Sequence, residues 1–303
     1  MDRVTGHGSS IDRVDLHAHS TFSDGTLTPT QLVALAKETG LSAIALSDHN
    51  TVAGLPEFLA AGETYGIKTV PGVELSTEYT GKELHILGLF IPTAAYAHIT
   101  AAVEEMMVRK EASNIALCQA LGRIGIALDY DEIKAGTPKG QVNRAIIAAD
   151  IMKKGYCNSR KEAFDRWLAP ERGYYIPPRR LDAFEAVFLL KSVGAVAVLA
   201  HPFLNLTEGE LRVFLPRAVD AGLDAMETEY PSFDVETTAL ARSMADEFGL
   251  LHSGGSDFHG ENKPDIRLGT GRGRLCVPME LLTRLEERWR SANGGQPSER
   301  KIF

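Results

Sequence analysis

The feature that most constrains the fold is an alternation of short apolar segments with helical segments along most of the chain. Nearly every apolar segment runs into a histidine, an aspartate or a glutamate. Short apolar strands that alternate with helices are typical of parallel βα units. Seven strand segments are predicted in this way, at 14–20, 43–46, 68–74, 83–90, 195–200, 224–227 and 250–256.

Two α/β architectures fit such an alternation. A barrel related to the TIM type collects its chemistry at the carboxyl ends of all its strands. An open doubly wound sheet concentrates its ligands at one switch point instead. Because polar residues follow nearly every strand segment, we predict the closed barrel, formed by residues 12–100 and 181–290.

A His-x-His pair, His17 and His19, follows the first apolar run. Alternate side chains of a strand share one face, so the two rings can hold one cation. Two unrelated polar residues at a strand end are the alternative. Six of the nine histidines and three carboxylates lie at or beside strand ends that should converge. These candidate ligands are His17, His19, Asp24, His49, Glu74, His85, His201, Asp257 and His259.

Nitrogen and carboxylate ligands without thiolate suit Zn, Mn or Fe. The candidate ligands are too many for one ion, which takes about four to six, so they predict two or three metals. The other histidines have other expected roles. His252 should pack in the core, His98 should be exposed to solvent, and His7 should lie idle in an N-terminal arm.

Composition limits the class of protein. The chain has 303 residues, is 44% apolar and 24% charged, and contains no apolar run near the roughly 20 residues that span a bilayer. It shows no apolar signal segment, so we expect a cytoplasmic location. Cys118, Cys157 and Cys276 lack metal-ligand spacing and are expected to be buried thiols. The formal net charge of −8 argues against binding of long nucleic acid by charge alone.

Residues 101–180 interrupt the alternation with helical spacing and no strand pattern. We predict an inserted helical cap domain over the mouth of the barrel, with one helix at 142–154 and another opened by a capping box at Ser159. The insert has 14 Lys and Arg against 10 Asp and Glu, a net charge of +4, which leaves −12 for the rest. Residues 1–11 and 291–303 are expected to be flexible tails.

Most basic residues of the insert are expected to form solvated helix faces. Arg144 differs because it follows a loop at a helix start, where main-chain N–H groups and a guanidinium can share a phosphate. Arg172 precedes Tyr175 and its neighbouring tyrosine, which offer an aromatic face to a base. Arg144, Arg172 and Tyr175 are therefore candidate substrate contacts, and a role in keeping the cap soluble is the alternative.

Several motifs occur in a fixed order, namely His17-x-His19, Asp24, Ser47-Asp48-His49, Glu74, His85, Ala200-His201-Pro202 and Ser256-Asp257-x-His259. Together they resemble the motifs of the PHP (polymerase and histidinol phosphatase) family, in the amidohydrolase superfamily. The resemblance covers about residues 12–90 and 181–275. It implies a distorted seven-stranded (β/α)7 barrel of the PHP fold, with a trinuclear metal centre that hydrolyses phosphoesters.

The resemblance also implies how the ligands divide among three ions. One ion would take His17, His19, Glu74 and Asp257, a second Glu74, His85 and His201, and a third Asp24, His49 and His259. Glu74 would bridge two ions, and Glu74, His201 and Asp257 would form the catalytic core. Some family members use histidine where this chain has Asp24, and an oxygen ligand there favours Mn over Fe or Zn.

The insert is similar to that of a PHP subgroup that acts on nucleotides, through Val142-Asn143-Arg144, Gly155-Tyr156 and Tyr175-Ile176-Pro177. A histidine often lies two residues after the arginine in that subgroup, where this chain has Ile146. The subgroup implies a phosphatase that removes the 3′-phosphate of 3′,5′-bisphosphonucleotides by attack of hydroxide generated at the metals. The expected partner is a small nucleotide or short RNA, with no membrane and no obligate protein partner.

Three other functions stay open from the sequence. A 5′–3′ exoribonuclease on short RNA would use the same centre to cut a diester. Histidinol phosphatase is another PHP activity, although the basic and aromatic insert favours a nucleotide. A non-catalytic accessory module, as in polymerase-associated PHP domains that have lost ligands, is disfavoured by the intact ligand set.

Overall fold

A computed structural model describes residues 12–137, 142–178 and 180–294. The described residues divide into two compact units. The described residues within 1–100 and 181–303 form the first unit, and those within 101–180 form the second. No helix within the described ranges is both long enough and apolar enough to cross a membrane. The predicted tails at 1–11 and, from 295 on, at the C-terminus lie outside the described residues.

The first unit contains one mixed sheet. Its strands are β1 (Arg13–Asp15), β2 (Ala43–Leu46), β3 (Lys68–Tyr79), β4 (Lys82–Leu89), β5 (Leu181–Asp182), β6 (Val196–Leu199), β7 (Ala225–Glu229), β8 (Leu251–Gly254) and β9 (Val277–Pro278). They follow the order β8-β7-β6-β4-β3-β2-β1-β9, and β5 pairs with β3. Each of the seven predicted segments contains a strand, but β5 and β9 raise the count to nine, so the predicted count of seven was too low.

The sheet bends until β8 meets the chain that follows β1. Beyond β1 the chain stays extended, and the Leu16 N–H donates to the Gly254 carbonyl at 3.2 Å. The Asp257 N–H then donates to the His17 carbonyl at 2.8 Å, and Ala18 forms a parallel bridge with Phe258. The strand β8 is therefore joined to the extension of β1, and the sheet is a nearly closed barrel.

One predicted feature of the barrel was wrong, because β4 does not run parallel to its neighbours. It pairs antiparallel with both β3 and β6. Thr80 and Gly81 join β3 to β4 with positive φ at both positions, 50° and 79°, and a loop this short connects only antiparallel strands. The strand β3 also continues to Tyr79, so Glu74 lies in its middle and not at its end.

The helices are α1 (Pro29–Glu38), α2 (Leu55–Tyr65), α3 (Tyr96–Gly122), α4 (Tyr130–Ala135), α5 (Arg144–Lys153), α6 (Arg160–Ala163), α7 (Ala183–Ser192), α8 (Glu208–Asp220), α9 (Val235–Glu247) and α10 (Met279–Ala292). The sequence Thr28-Pro29-Thr30-Gln31 predicts a capped helix start, and this prediction is confirmed, since Thr28 and Gln31 form a reciprocal capping box at the start of α1. Helix α10 continues to Ala292, so the predicted tail does not begin at 291.

The barrel has an apolar core on the side of α10. Strand residues such as Val14, Val70 and Val198 are fully buried there, together with Leu282 and Leu285 of α10. A continuous apolar floor excludes water from one end of the barrel. The opposite end, where the loops after the parallel strands lie, is left for polar side chains.

The second unit is built from α4, α5, α6 and most of α3, and its described residues contain no strand. Its core contains Leu117, Leu121, Ile147, Ile151 and Leu168, all fully buried. Helix α5 begins after Asn143, whose side chain accepts from the Ile146 N–H at 3.0 Å. The Ser159 hydroxyl caps α6 as predicted, but Glu162 accepts from the Asn158 N–H, so the predicted reciprocal box is not formed on Ser159.

Closure of the barrel depends on Gly255. A Cβ atom at this position would lie 2.4 Å from both the backbone nitrogen and the Cβ of His17. We expect Gly255→Ala to lower the free energy of unfolding by at least about 1–3 kcal/mol, because backbone atoms cannot move aside as a side chain can. Chemical denaturation measures this loss.

The matched control is Gly209→Ala in the first turn of α8, where no atom lies within 4 Å of the added methyl group. Its stability should equal or slightly exceed that of the wild type. Equal stability of the two alanine variants would contradict the role of Gly255 in closure.

Candidate metal centre

The centre begins with the two histidines that follow β1. The chain stays extended through His17 and His19, so both rings enter the barrel from the same side. Both side chains are fully buried, and their Nε2 atoms lie 3.1 Å apart. Two nitrogens this close point their lone pairs or N–H groups at one small volume.

Glu74 lies at the middle of the centre, with its two oxygens facing different histidines. Its Oε2 atom is 3.3 Å from the Nε2 atoms of both His17 and His19, and 3.1 Å from Nδ1 of His49. Its Oε1 atom is 2.9 Å from Nδ1 of His85 and 3.1 Å from Nε2 of His201. Such a carboxylate can bridge two cations.

The antiparallel strand β4 explains why His85 reaches Glu74. In the β3–β4 ladder Glu74 pairs with Leu87 and Ser76 pairs with His85. Residues two apart on one strand share a face, so Glu74 and His85 are diagonal neighbours on the inner face. The histidine therefore reaches the centre from within a strand and not from a strand end.

The remaining ligand candidates surround His19 on the other side. Asp257 Oδ1 lies 3.3 Å from Nε2 of His19 and 3.4 Å from Nδ1 of His259. Asp24 Oδ1 lies 3.2 Å from Nε2 of His259, and Asp24 Oδ2 lies 4.0 Å from Nε2 of His49. The Asp24 side chain is 56% exposed, which places it at the edge of the centre.

All nine candidate residues thus lie in one cluster. Eight of them form three groups whose ligand atoms lie within 4.8 Å of one another, and His201, which contacts Glu74, belongs to none of these groups. The groups differ in detail from the predicted sets, because His19 joins Asp24, His49 and His259, and His49 also joins the Glu74 group. The groups are His19, Asp24, His49 and His259; His17, His19 and Asp257; and His49, Glu74 and His85. The assignment of each ligand to an ion stays a prediction.

The residues of the cluster fit divalent cations. The Nδ1 atom of His49 and the Oε2 atom of Glu74 lie 3.1 Å apart, yet neither makes a hydrogen bond of good geometry, and the buried Nδ1 atom of His19 makes none either. Coordination of a cation would relieve this costly arrangement. Burial opposes the charged form of Glu74, but His49, His85 and His17 hold its pKa well below the usual range. Burial likewise opposes ionisation of Asp257, and His17 and His19 hold its pKa well below the usual range.

The two sides of Glu74 have different electrostatics. Burial lowers the pKa of His49 to about 4, so this ring is neutral and has a free nitrogen lone pair near pH 7. Burial also disfavours the charged form of His85, but the Glu74 carboxylate outweighs it and raises the pKa of His85 to about 10. A cation at the Oε1 side would take the place of the proton on His85.

Comparison with known proteins agrees with this geometry. The PHP domain matches residues 15–176, which is more than half of the chain. The chain belongs to the PHP domain family. The match extends into the helical insert, further than the first part of the sequence resemblance, and it ends before His201, Asp257 and His259.

Two relatives that align over most of this chain are named as phosphoesterases. The chain is 33% identical to a 5′–3′ exoribonuclease of Haemophilus influenzae over 248 residues, which cover 82% of this chain and 90% of the relative. It is 29% identical to a 3′,5′-nucleoside bisphosphate phosphatase of Chromobacterium violaceum over 274 residues, which cover 88% and 94%. A solved amidohydrolase from the same species, with bound sulfate and no metal, superposes with a TM-score of 0.71 at 26% identity over 91% of this chain and 96% of that one.

The protein is therefore a metal-dependent phosphoesterase of the PHP family. The ligand geometry and the family agree on the use of divalent metal.

The sequence alone did not identify the residues that hold the candidate metal ligands in place. Glu227, fully buried in the middle of β7, accepts from Nδ1 of His17 at 3.0 Å and from the His201 N–H at 2.7 Å. An acceptor on Nδ1 orients the ring and leaves Nε2 for a metal. The carboxylate of Asp48 likewise accepts from the N–H and hydroxyl of Ser20, at 2.8 and 2.6 Å, in the turn that leads to Asp24. The available signal was the position of Glu227 as the last residue of the predicted strand segment 224–227.

Two further residues contact Asp257 from the open side. The Tyr230 hydroxyl and the Lys263 ammonium group both donate to Asp257 Oδ2 at 2.7 Å, which leaves Oδ1 facing His19. Burial, reinforced by the charge of Asp257, raises the pKa of Tyr230, so it stays a neutral donor. The loop after the Asp257-x-His259 motif thus brings a positive charge to the centre.

Backbone strain is present at two ligand positions. His201 has φ 28° and Asp257 has φ 53°, values that residues with a side chain rarely adopt. Such strain persists where the surrounding structure determines the conformation, and it is frequent at functional sites. At Asp257 the Tyr230 and Lys263 contacts are part of that surrounding structure.

The other predictions for single histidines and cysteines had mixed outcomes. His98 is exposed as predicted. His252 was wrongly assigned to the core, since its side chain is partly exposed and lies 3.0 Å from Asp246. Cys118 and Cys157 are buried, but Cys276 is exposed, contrary to prediction. His7 lies outside the described residues.

The candidate substrate contacts lie in the second unit. The Arg144 guanidinium group stacks on Tyr175, 4.4 Å from its centroid, and donates to the Leu168 carbonyl at 3.1 Å. Gly140 and Gln141, which precede Arg144 in the sequence, lie outside the described residues. Arg172 is exposed at the end of the short turn Pro170–Arg172. Among the contacts of the described residues, Arg144 contacts Tyr175, and none connects Arg172 to either of them.

The central position of Glu74 generates a prediction about metal content. Purified wild-type protein should contain two to three equivalents of divalent transition metal, and chelation should abolish phosphate release. Glu74→Ala should lose more metal and more activity than His85→Ala or His201→Ala, because both of its oxygens face ligand nitrogens. Elemental analysis and a phosphate-release assay measure the two quantities.

His252→Ala is the matched control, since it removes a histidine outside the centre, and it should retain wild-type metal content. A Glu74→Ala protein with unchanged metal content and turnover would exclude a bridging role. Less than one equivalent in an active, chelator-resistant wild type would exclude the metal centre.

Proposed function

We propose that the chain is a phosphatase that removes the 3′-phosphate from 3′,5′-bisphosphonucleotides, such as adenosine 3′,5′-bisphosphate. The observation that carries the proposal is the buried Glu74 carboxylate, whose two oxygens face separate sets of histidine nitrogens. Paired cations held in this way suit in-line displacement at phosphorus. The Chromobacterium relative, named a 3′,5′-nucleoside bisphosphate phosphatase, supports the choice of substrate.

Divalent ions bound here, of which Mn is the proposed species because of the Asp24 oxygen ligand, supply a nucleophile near neutral pH and offset phosphoryl charge. The ligand residues would hold them, with Glu74 between two. Glu227 orients His17, and Tyr230 and Lys263 fix Asp257. Lys263 also adds a positive charge at the open side, where an anionic substrate arrives. No serine or cysteine nucleophile is required.

A second candidate is a 5′–3′ exoribonuclease that acts on short RNA. The observation that favours it is the Haemophilus relative of that name, at 33% identity over 82% of this chain. Both reactions cleave a phosphoester bond at the same kind of centre. They differ in the bond that is hydrolysed: the phosphatase hydrolyses a terminal phosphomonoester and releases inorganic phosphate, whereas the exoribonuclease hydrolyses a phosphodiester and releases a nucleotide from the RNA chain.

Relative rates on matched substrates decide between the two candidates. We expect kcat/KM for adenosine 3′,5′-bisphosphate to exceed that for a 5′-phosphorylated trinucleotide, and for histidinol phosphate, by at least about tenfold, the effect of about 1.4 kcal/mol of binding energy. Phosphate release and oligonucleotide shortening are the two assays. A faster trinucleotide reaction would establish the exoribonuclease instead, and no turnover of any phosphoester by metal-loaded protein would contradict both.

The insert provides the proposed contacts for the phosphate that is retained, through Arg144, Arg172 and Tyr175. A charge-assisted contact to phosphate is worth roughly 1.5–3 kcal/mol. Arg144→Ala should therefore lower kcat/KM for adenosine 3′,5′-bisphosphate by about tenfold or more. The same change should leave glycerol 2-phosphate hydrolysis and metal content nearly unchanged, because that substrate has no second phosphate.

Arg166→Ala is the matched control within the same unit. Its guanidinium group also stacks on an aromatic ring, 4.1 Å from the Trp167 centroid, and pairs with Glu162. This variant should keep wild-type kinetics on both substrates. A proportionate loss on both substrates in Arg144→Ala, together with a lower unfolding temperature, would assign Arg144 to the packing of Tyr175 and Leu168 instead.

A further inference from the structure

A run of aromatic rings leads away from the metal centre within the first unit. The His201 ring lies 5.4 Å from the Tyr230 ring, centroid to centroid. Tyr230 lies 5.2 Å from Phe233, and Phe233 lies 5.7 Å from Phe203. The series starts at a metal-ligand candidate and ends at partly exposed phenylalanines. We call Phe203 and Phe233 the aromatic platform.

The platform lies on the face of the barrel that carries the chemistry. Phe203 is in the loop that follows β6, and Phe233 is in the loop that follows β7. Loops after parallel barrel strands surround the active site. Leu204, beside Phe203, is 50% exposed, so the apolar surface continues outward from the platform.

Short turns hold both rings at a fixed distance from the centre. The Leu204 N–H donates to the His201 carbonyl at 3.0 Å, which closes the turn that carries Phe203. The Phe233 N–H donates to the Tyr230 carbonyl at 3.1 Å, and Tyr230 is itself tied to Asp257. One turn therefore begins at the ligand candidate His201 and the other at Tyr230, which holds the ligand candidate Asp257, so both turns fix the positions of the rings relative to the centre.

The ring geometry leaves an aromatic face available. Phe203 and Phe233 meet edge to face, with 77° between their planes. In this arrangement one ring covers only one face of the other, and both side chains remain partly exposed. A flat heteroaromatic group can stack on such a surface, and stacking on aromatic side chains tolerates any base.

We propose that the aromatic platform binds the nucleobase of the substrate while the adjoining centre holds the phosphate. This inference rests on the proposed function, because it assumes a nucleotide in the site. The site would recognise a nucleobase that is connected to a phosphate through one ribose. Such a group is present both in a mononucleotide and in the terminal residue of an RNA chain.

Substitutions at Phe233 separate stacking from simple packing. Phe233→Leu keeps an apolar side chain but removes the aromatic face, and Phe233→Tyr keeps the face. We expect Phe233→Leu to raise KM for adenosine 3′,5′-bisphosphate about tenfold with little change in kcat, within the range of a lost base stack. Phe203→Leu should act in the same direction. Phe233→Tyr should retain wild-type values.

Substrates without a base supply the second comparison. Glycerol 2-phosphate should be hydrolysed equally by the wild type and by Phe233→Leu. Phe188→Leu, which alters a 69% exposed phenylalanine on α7, is the matched control and should behave as wild type on every substrate. The 5′-phosphorylated trinucleotide forms a further arm. If Phe233→Leu lowers kcat/KM more for the trinucleotide than for the bisphosphate, the platform binds a base of RNA and not the base of a mononucleotide.

Calorimetry of the metal-loaded protein separates failure of the platform from failure of the proposed function. The wild type should bind AMP more tightly than ribose 5-phosphate, and Phe233→Leu should lose this difference in affinity. If the difference in affinity disappears in the variant but the wild type hydrolyses neither nucleotide substrate, the platform binds the base and the proposed function is wrong. If wild type hydrolyses the bisphosphate and Phe233→Leu changes both substrate types alike, or neither, the platform is wrong and the proposed function stands.

Discussion

The structure depends on a buried carboxylate, Glu74, placed among histidines at the open end of the barrel. An ionised carboxylate without partners is costly to bury. Here the two oxygens face the nitrogens of five imidazole rings, and these rings come from the β1, β2, β4 and β6 regions of the chain. The requirement to surround Glu74 therefore ties the strands of the barrel to one point.

The shape of the sheet makes that convergence possible. Direct hydrogen bonds between the extension of β1 and the segment after β8 bring His17 and Asp257 together, although 240 residues separate them in sequence. The absence of a side chain at Gly255 allows the close approach. The reversal at Thr80 and Gly81 then sends β4 back along β3, so that His85 faces the same volume.

A second layer of side chains determines how the ligands point. Glu227 joins His17 to the backbone of His201, and Tyr230 and Lys263 hold one oxygen of Asp257. Ligands oriented by such contacts lose less freedom when a metal binds, and their basicity is tuned by their partners. The same Tyr230 also begins the turn that carries Phe233, so the metal centre and the aromatic platform share a support.

Local sequence determined which residues could serve as ligands, because strands with a period of two and capped helices are short-range features. The pair His17 and His19 and the helix start at Thr28 could be recognised for this reason. Tertiary structure decided the direction of β4 and the mid-strand position of Glu74, since strand pairing joins residues far apart in sequence. It also decided which ligands share a volume and that Glu227, Tyr230 and Lys263 support them. A side chain's partners across a closed barrel follow from the registry of its strands, which no local pattern contains.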